Sequence, residues 1–197
     1  MVIATPFDKD AHFYFNQKIN CMRAEGVVKI GDKEYVFDKS DSMGTLDWGR
    51  GVWTYDNTWY WGSLQGYLDD GSRFGWNVGY GFGNTSAATE NMLFYNGQSH
   101  KLDEVTFNIP QKDGKDDYMS PWTFTSNDNR FNMNFTPILD RQAPLNIGVI
   151  CMLPHQVFGR FNGTAVLDDG TVIEVKDMIG FAENCLLYTS DAADDKA

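Results

Sequence analysis

The stretch Arg73-Phe74-Gly75-Trp76-Asn77-Val78-Gly79-Tyr80-Gly81-Phe82 decides the fold class. Phe74, Trp76, Val78, Tyr80 and Phe82 alternate with Arg73, Gly75, Asn77, Gly79 and Gly81. Successive strand residues point to opposite faces, so the bulky set shares one face and the other face is nearly bare. Glycine at alternate positions permits strong coiling, or leaves room for another group to lie against the backbone. The same bare face accommodates neighbouring aromatic rings equally well, and the sequence leaves those uses open.

Outward from this strand the period of two recurs. Phe13, Phe15, Ile19 and Cys21 alternate with Tyr14, Asn16, Lys18 and Asn20, the pattern of a half-buried strand that a helix would scatter around its axis. Shorter alternations follow at Val105 to Ile109, Phe131 to Phe135 and Thr171 to Val175. Gly31-Asp32, Asp70-Gly71, Asn96-Gly97 and Asp169-Gly170 lie between such runs and have the chemistry of tight hairpin turns. Long helices are absent; single helical turns are expected only around Ser42 to Leu46 and Ala87 to Met92. Pro110 to Tyr118 and Ile138 to Pro144 are expected to be loops. The expectation is one all-β domain of about ten antiparallel strands, closed as a barrel or stacked as a sandwich to protect its edges.

The chain has 197 residues, of which 42% are hydrophobic and 15% aromatic, ample for one core. Cys185-Leu186-Leu187-Tyr188-Thr189-Ser190-Asp191-Ala192-Ala193-Asp194-Asp195 resembles the translation of a DNA tagmentation adapter. Residues 185–197 are therefore expected to be a non-native tail on a native domain of residues 1–184, the product of a fragmentary reading frame. The formal net charge is −11, or −9 without the three acids and one base of that tail. With no Lys/Arg cluster to offset this field, nucleic acid is not expected as a partner. No run approaches the roughly 20 apolar residues of a membrane-spanning helix, and Met1 to Asp10 has no signal-peptide pattern, so a cytoplasmic location is expected. Cys21 and Cys151 are too distant in sequence to suggest a disulfide or a metal site.

Chemistry concentrates in Leu46-Asp47-Trp48-Gly49-Arg50-Gly51-Val52-Trp53 and Trp59-Tyr60-Trp61-Gly62, which hold four tryptophans within fourteen residues. Buried indole N–H groups need acceptors, which Asp47 or backbone carbonyls would supply. Asp47 and Arg50 are expected to pair in one tight turn. The segment is either a barrel end plugged by rings and one salt bridge, or a pocket wall of indoles around an acid whose protonated form is favoured by apolar surroundings. Glu90, between Thr89 and Asn91, is either a solvated strand end or an inward acid needing a partner such as Arg50. His155-Gln156 follows a proline; His155 is a turn residue or a proton carrier. The candidate catalytic residues are Asp47, Glu90 and His155. Trp48, Arg50, Trp53, Trp59, Trp61, Trp76, Asn91 and Gln156 are the candidate ligand contacts. No metal-ligand spacing, phosphate loop or hydrolase elbow is present, so neither a metal nor a cofactor is expected.

Asn16-Gln17-Lys18-Ile19-Asn20-Cys21-Met22, Leu46 to Gly51, Thr58-Trp59-Tyr60-Trp61-Gly62, Thr89-Glu90-Asn91 and His155-Gln156-Val157-Phe158-Gly159 together resemble the domain-of-unknown-function family 2804, over about His12 to Glu183. The resemblance implies a bacterial protein built of two lipocalin-like halves, of which this chain is the C-terminal one, partnered by an N-terminal half-barrel. It also implies a fold similar to the double barrels of carotenoid hydratases, sphingolipid-handling stress proteins and fungal cyclases. The function expected is binding or carriage of a hydrophobic small molecule, a lipid or isoprenoid, in a barrel cavity. A hydratase, isomerase or cyclase using carboxylate acid-base chemistry is the alternative.

Overall fold

The computed structural model describes residues 1–189, which form seventeen β-strands and no helix. They run β1 (Val2–Pro6), β2 (Phe13–Arg23), β3 (Gly26–Ile30), β4 (Lys33–Phe37), β5 (Met43–Val52), β6 (Asp56–Tyr67), β7 (Arg73–Tyr80), β8 (Met92–Tyr95) and β9 (Gln98–Lys101). There follow β10 (Val105–Asn108), β11 (Gln111–Lys112), β12 (Lys115–Asp116), β13 (Trp122–Ser126), β14 (Phe131–Gln142), β15 (Leu145–Asn146), β16 (Ile150–Val166) and β17 (Val172–Thr189). The single helical turns expected at Ser42 to Leu46 and Ala87 to Met92 are absent: the first enters β5, and the second is irregular until β8 begins. One isolated turn gains too few hydrogen bonds to offset its nucleation cost, whereas pairing satisfies a strand residue by residue. Both expected loops also contain strand, since β11 and β12 form a small hairpin and β14 continues to Gln142 across a bulge at Pro137 to Leu139.

Ten strands build one antiparallel sheet in the order β10-β13-β14-β16-β17-β6-β7-β8-β9, with β15 beside β16. The sheet curls into a half-barrel, the form consistent with a lipocalin-like barrel half. The four predicted turn pairs each join consecutive strands; at Asn96 and Gly97 both φ angles are positive, at 48° and 88°, as a primed turn requires. Inside the curl, Leu64, Phe74, Trp76, Phe124, Phe131 and Phe161 are at most 2% exposed. Trp76 meets two of these rings edge to face, lying 5.1 Å from Phe131 and 5.2 Å from Phe161. Each such pair adds about 0.5–1.5 kcal/mol beyond area burial. The concave side is thus filled by side chains, and Trp76, expected to line a cavity, is core.

A second sheet, ordered β1-β2-β5, covers the outer side of β6 and β7. Asn20 Nδ2 donates to Ser63 Oγ at 2.8 Å and to the Trp76 carbonyl at 3.2 Å, and the Cys21 N–H donates to Gln65 Oε1 at 2.7 Å. The side of β2 that faces the main sheet is its polar one: Asn16, Lys18 and Asn20 are buried while Phe13 and Ile19 are exposed. The outer face of the main sheet presents Ser63, Gln65 and Asn77, so the layer that matches it is polar. A bulge after Ile19, with Cys21 at φ 58°, brings Cys21 round to the same inward side as Asn20. Strand β17 runs through Cys185 to Thr189, paired with β6 and β16, so it extends into the expected tail; residues 190–197 lie outside the described residues.

Candidate functional site

Between the two sheets lies a cleft of about 260 Å³, lined by Tyr14, Asn16, Lys18, Asp47, Trp53, Trp59, Trp61, Phe82, Glu90, Glu183 and Leu187. Each wall follows from strand parity. On β2, Tyr14, Asn16 and Lys18 point inward; on β5, Asp47 stands opposite Lys18, followed by Gly49 and Gly51 on the same face. A Cβ on Gly49 would overlap the Tyr14 ring, and one on Gly51 would overlap the Phe13 carbonyl. The pattern Asp47-Trp48-Gly49-Arg50-Gly51 therefore carries an acid followed by two bare positions, the first covered by the Tyr14 ring and the second by the Phe13–Tyr14 backbone. From the main sheet, β6 contributes Trp59 and Trp61, and β17 contributes Glu183 opposite Trp61. The bare face of β7 is filled by the chain itself, because a Cβ on Gly79 would meet Glu90 Oε1 at 2.7 Å and one on Gly75 would meet Cys21 Sγ at 2.8 Å.

Lys18 is the centre of the polar network. Its side chain is 5% exposed; Nζ lies 3.5 Å from Asp47 Oδ2, 3.3 Å from Glu90 Oε2 and 3.7 Å from the centroid of the Trp61 ring. Asn77 Nδ2 donates to Glu90 Oε2 at 2.9 Å, and the Trp61 indole N–H donates to Asn77 Oδ1 at 2.8 Å. Glu183 accepts from Trp59 Nε1 at 2.8 Å and from Gln156 Nε2 at 3.0 Å. Burial holds the Glu183 carboxyl above the usual range despite these donors, and burial likewise raises Asp47 despite Lys18. Asp47 keeps about a third of its side chain in water, so screening weakens its share. Burial, with Asp47 and Glu90 nearby, pushes the Tyr14 hydroxyl up to about 12 and keeps it neutral. Asn16 Oδ1 is buried and accepts no hydrogen bond among the described residues.

Of the residues expected to line a barrel cavity, Asp47, Glu90, Trp53, Trp59 and Trp61 meet instead in this cleft between the sheets, and Gln156 supports it through Glu183. The expected Asp47–Arg50 pair does not form. The segment is a strand rather than a turn, and residues three apart on a strand face opposite sides, so Arg50 and Trp48 lie on the outer face of β5. Lys18 takes the role assigned to Arg50, toward Glu90 as well. Asn91 is structural, accepting from the Gly79 N–H at 2.7 Å and donating to the Asp103 carbonyl at 2.6 Å. His155 neighbours Gln156 on β16 and so points to the other face, where its Nδ1 meets Asp140 Oδ2 at 2.8 Å and its ring stacks on Tyr118 at 3.9 Å. Sequence reasoning missed Lys18, Tyr14, Asn16 and Glu183. The signal for the first three was present, as polar residues at alternate positions of a strand whose other parity is no more than ordinary in its apolarity.

A family model, Domain of unknown function (DUF2804), matches residues 1–186. The chain belongs to the DUF2804 family. No curated protein and no solved structure matches it. Among the described residues no helix of this DUF2804 chain is long and apolar enough to cross a membrane, and no cluster of His, Cys, Asp or Glu is arranged to hold a metal ion.

Proposed function

We propose that the cleft between the two sheets binds a hydrophobic small molecule, of lipid or isoprenoid kind, by an apolar body against Trp53, Trp59 and Phe82 and a polar head toward Lys18, Asp47 and Glu90. The observation that carries this reading is the joining of indole walls to a small, convergent polar group in one half-open cleft, the composition of a small-molecule site. At about 260 Å³ the cleft is smaller than the ~300–1,000 Å³ of whole-ligand pockets, which favours recognition of a head and its first carbons. The partner half-barrel implied by the family resemblance is supported by the outer face of β1-β2-β5, where Val2, Phe13, Ile19, Leu46, Trp48 and Val52 are exposed.

The test is tryptophan fluorescence with a neutral amphiphile, octan-1-ol, joined to native mass spectrometry of the protein as purified. Saturable quenching that is lost in Trp59→Ala and Trp61→Ala is expected. No saturable change, and no apolar compound carried through purification, would end the reading. A second reading is acid-base catalysis on an apolar substrate, by hydration, isomerisation or cyclisation. It is favoured by the raised carboxyls of Asp47 and Glu183, since a protonated acid facing apolar walls can protonate an alkene. Asp47→Asn separates the two: binding persists in both, and turnover disappears only in an enzyme.

A further inference from the structure

Within the cleft, hydrogen-bond donors and acceptors are unequally committed. The Lys18 ammonium is engaged by Asp47 and Glu90, the Trp59 indole by Glu183, and the Trp61 indole by Asn77. The neutral Tyr14 hydroxyl can donate or accept, and the rest of the polar lining is mostly acceptor. Three carboxyl groups (Asp47, Glu90, Glu183) face one cation, and Asn16, 2% exposed, keeps Oδ1 unpartnered at the cleft wall. A buried acceptor left unmade is destabilising, so a donor that reaches Asn16 Oδ1, which the wall now covers, gains what the empty site lacks.

Around these acceptors stand aromatic faces. Phe82 packs edge-on against Tyr14 at 4.9 Å and against Trp59 at 5.4 Å, with Trp53 at 5.8 Å. Ring faces carry negative potential and attract ammonium groups. The chain already uses this device on itself, since Lys18 Nζ sits over the Trp61 ring between two carboxylates. An anionic head would meet the surplus of carboxyls in a poorly solvated cleft and be repelled.

Building on the small-molecule reading above, we infer that the head group the cleft selects is an organic ammonium with at least one N–H, on an apolar body, and not a carboxylate or phosphate. Binding such a cation favours the ionised forms of Asp47 and Glu183, so it releases protons and tightens as pH rises through their range. The groups that set this response are Lys18 and Tyr14 on β2, Asp47 on β5, Glu90 ahead of β8, and Glu183 on β17.

Octylammonium, octan-1-ol and octanoate share one tail and differ in head charge. Titrated into the full chain at low salt, below their micelle concentrations, with fluorescence and calorimetry as readouts, octylammonium should bind about ten-fold more tightly than octan-1-ol. Octanoate should be weakest. Asp47→Asn should keep octan-1-ol binding, which reports an intact cleft, while the preference for octylammonium falls several-fold. Equal or tighter binding of octan-1-ol, or of octanoate, overturns the ammonium inference and leaves the small-molecule reading standing. A preference unchanged in Asp47→Asn also overturns it, and failure of all three probes removes both readings.

Discussion

Lys18 carries an ammonium almost out of water, and the geometry around it states what offsets that. Desolvating an ion costs several kcal/mol, recovered only when counter-charges are close and well placed. Here two carboxylates stand within 3.5 Å and an indole face within 3.7 Å. Lys18→Met leaves Asp47 and Glu90 with no cation between them, and the folding free energy measured by urea titration should fall by about 3 kcal/mol. Adding Glu90→Gln to Lys18→Met should recover part of that loss; a fall below about 1 kcal/mol, or no recovery, would mean the network contributes little to folding. Glu183 makes a separate claim about pH. Its folded-state pKa is raised, so above the ordinary value of about 4.5 the native state holds a proton that the unfolded state has lost. Its contribution is present below that value and declines as pH rises through the folded-state pKa. Glu183→Gln should accordingly gain stability relative to the parent between pH 4 and pH 7. A difference that is constant over that interval would contradict the raised pKa.

Strands β2, β5 and β7 show how a period of two is legible in sequence while its orientation is not. The alternation in Arg73 to Tyr80 identifies both a strand and its core face correctly, because that face is aromatic and the opposite one has almost no side chains; Phe82, expected on the same face, lies beyond the strand's end past Gly81 and turns into the cleft instead. In β2 the same rule finds the strand and leaves the wrong side in view. Nothing local to Phe13-Tyr14-Phe15-Asn16-Gln17-Lys18 records that the layer beneath it is the polar outside of another sheet, and that partner is distant in sequence. The Asp47–Arg50 expectation failed for a related reason, since a spacing of three joins side chains in a turn and separates them on a strand. The two inward glycines of β5 are the readable mark of the cleft. Gly49→Ala places a methyl group where Tyr14 lies, and overpacking of this kind should cost about 1–3 kcal/mol and shift the Tyr14 ring into the cleft, weakening octan-1-ol binding. Gly44→Ala, on the same strand with Met22 Cε 4.0 Å away, is the control and should change neither. Thermal unfolding of the two variants side by side decides the matter; equal melting temperatures would refute the packing argument.

At the scale of the molecule, the arrangement is a filled half-barrel with a second, thinner sheet laid across its outside, and apolar surface is distributed unevenly over it. Composition signalled a large core, and the core is there, but its rings fill the inside of the curl, and the indole-walled cleft lies at the seam between the sheets. Composition is silent on such a seam, because the residues that make it come from β2, β5, β6, β17 and the segment before β8. The thin sheet has only one buried face, and that face is polar; its apolar residues look outward, from 36% exposed at Ile19 to 59% at Val2. The β3–β4 hairpin adds Val27, Ile30 and Val36, all exposed. Contiguous apolar area of this kind binds partners or apolar dyes, whereas scattered apolar residues do not. Ile19 and Leu46 are cross-strand partners, and Trp48 stands opposite Gln17, so the three sit on one patch whose side chains point away from the cleft. Replacing all three by Thr keeps β-propensity and removes the patch, and should leave the folding free energy within about 1 kcal/mol of the parent. Dye binding by 1-anilinonaphthalene-8-sulfonate should drop several-fold and solubility should rise, while octan-1-ol quenching through Trp59 and Trp61 is retained. Unchanged dye binding would show that these side chains are covered in solution, and loss of quenching would show that the two faces of the thin sheet are not independent.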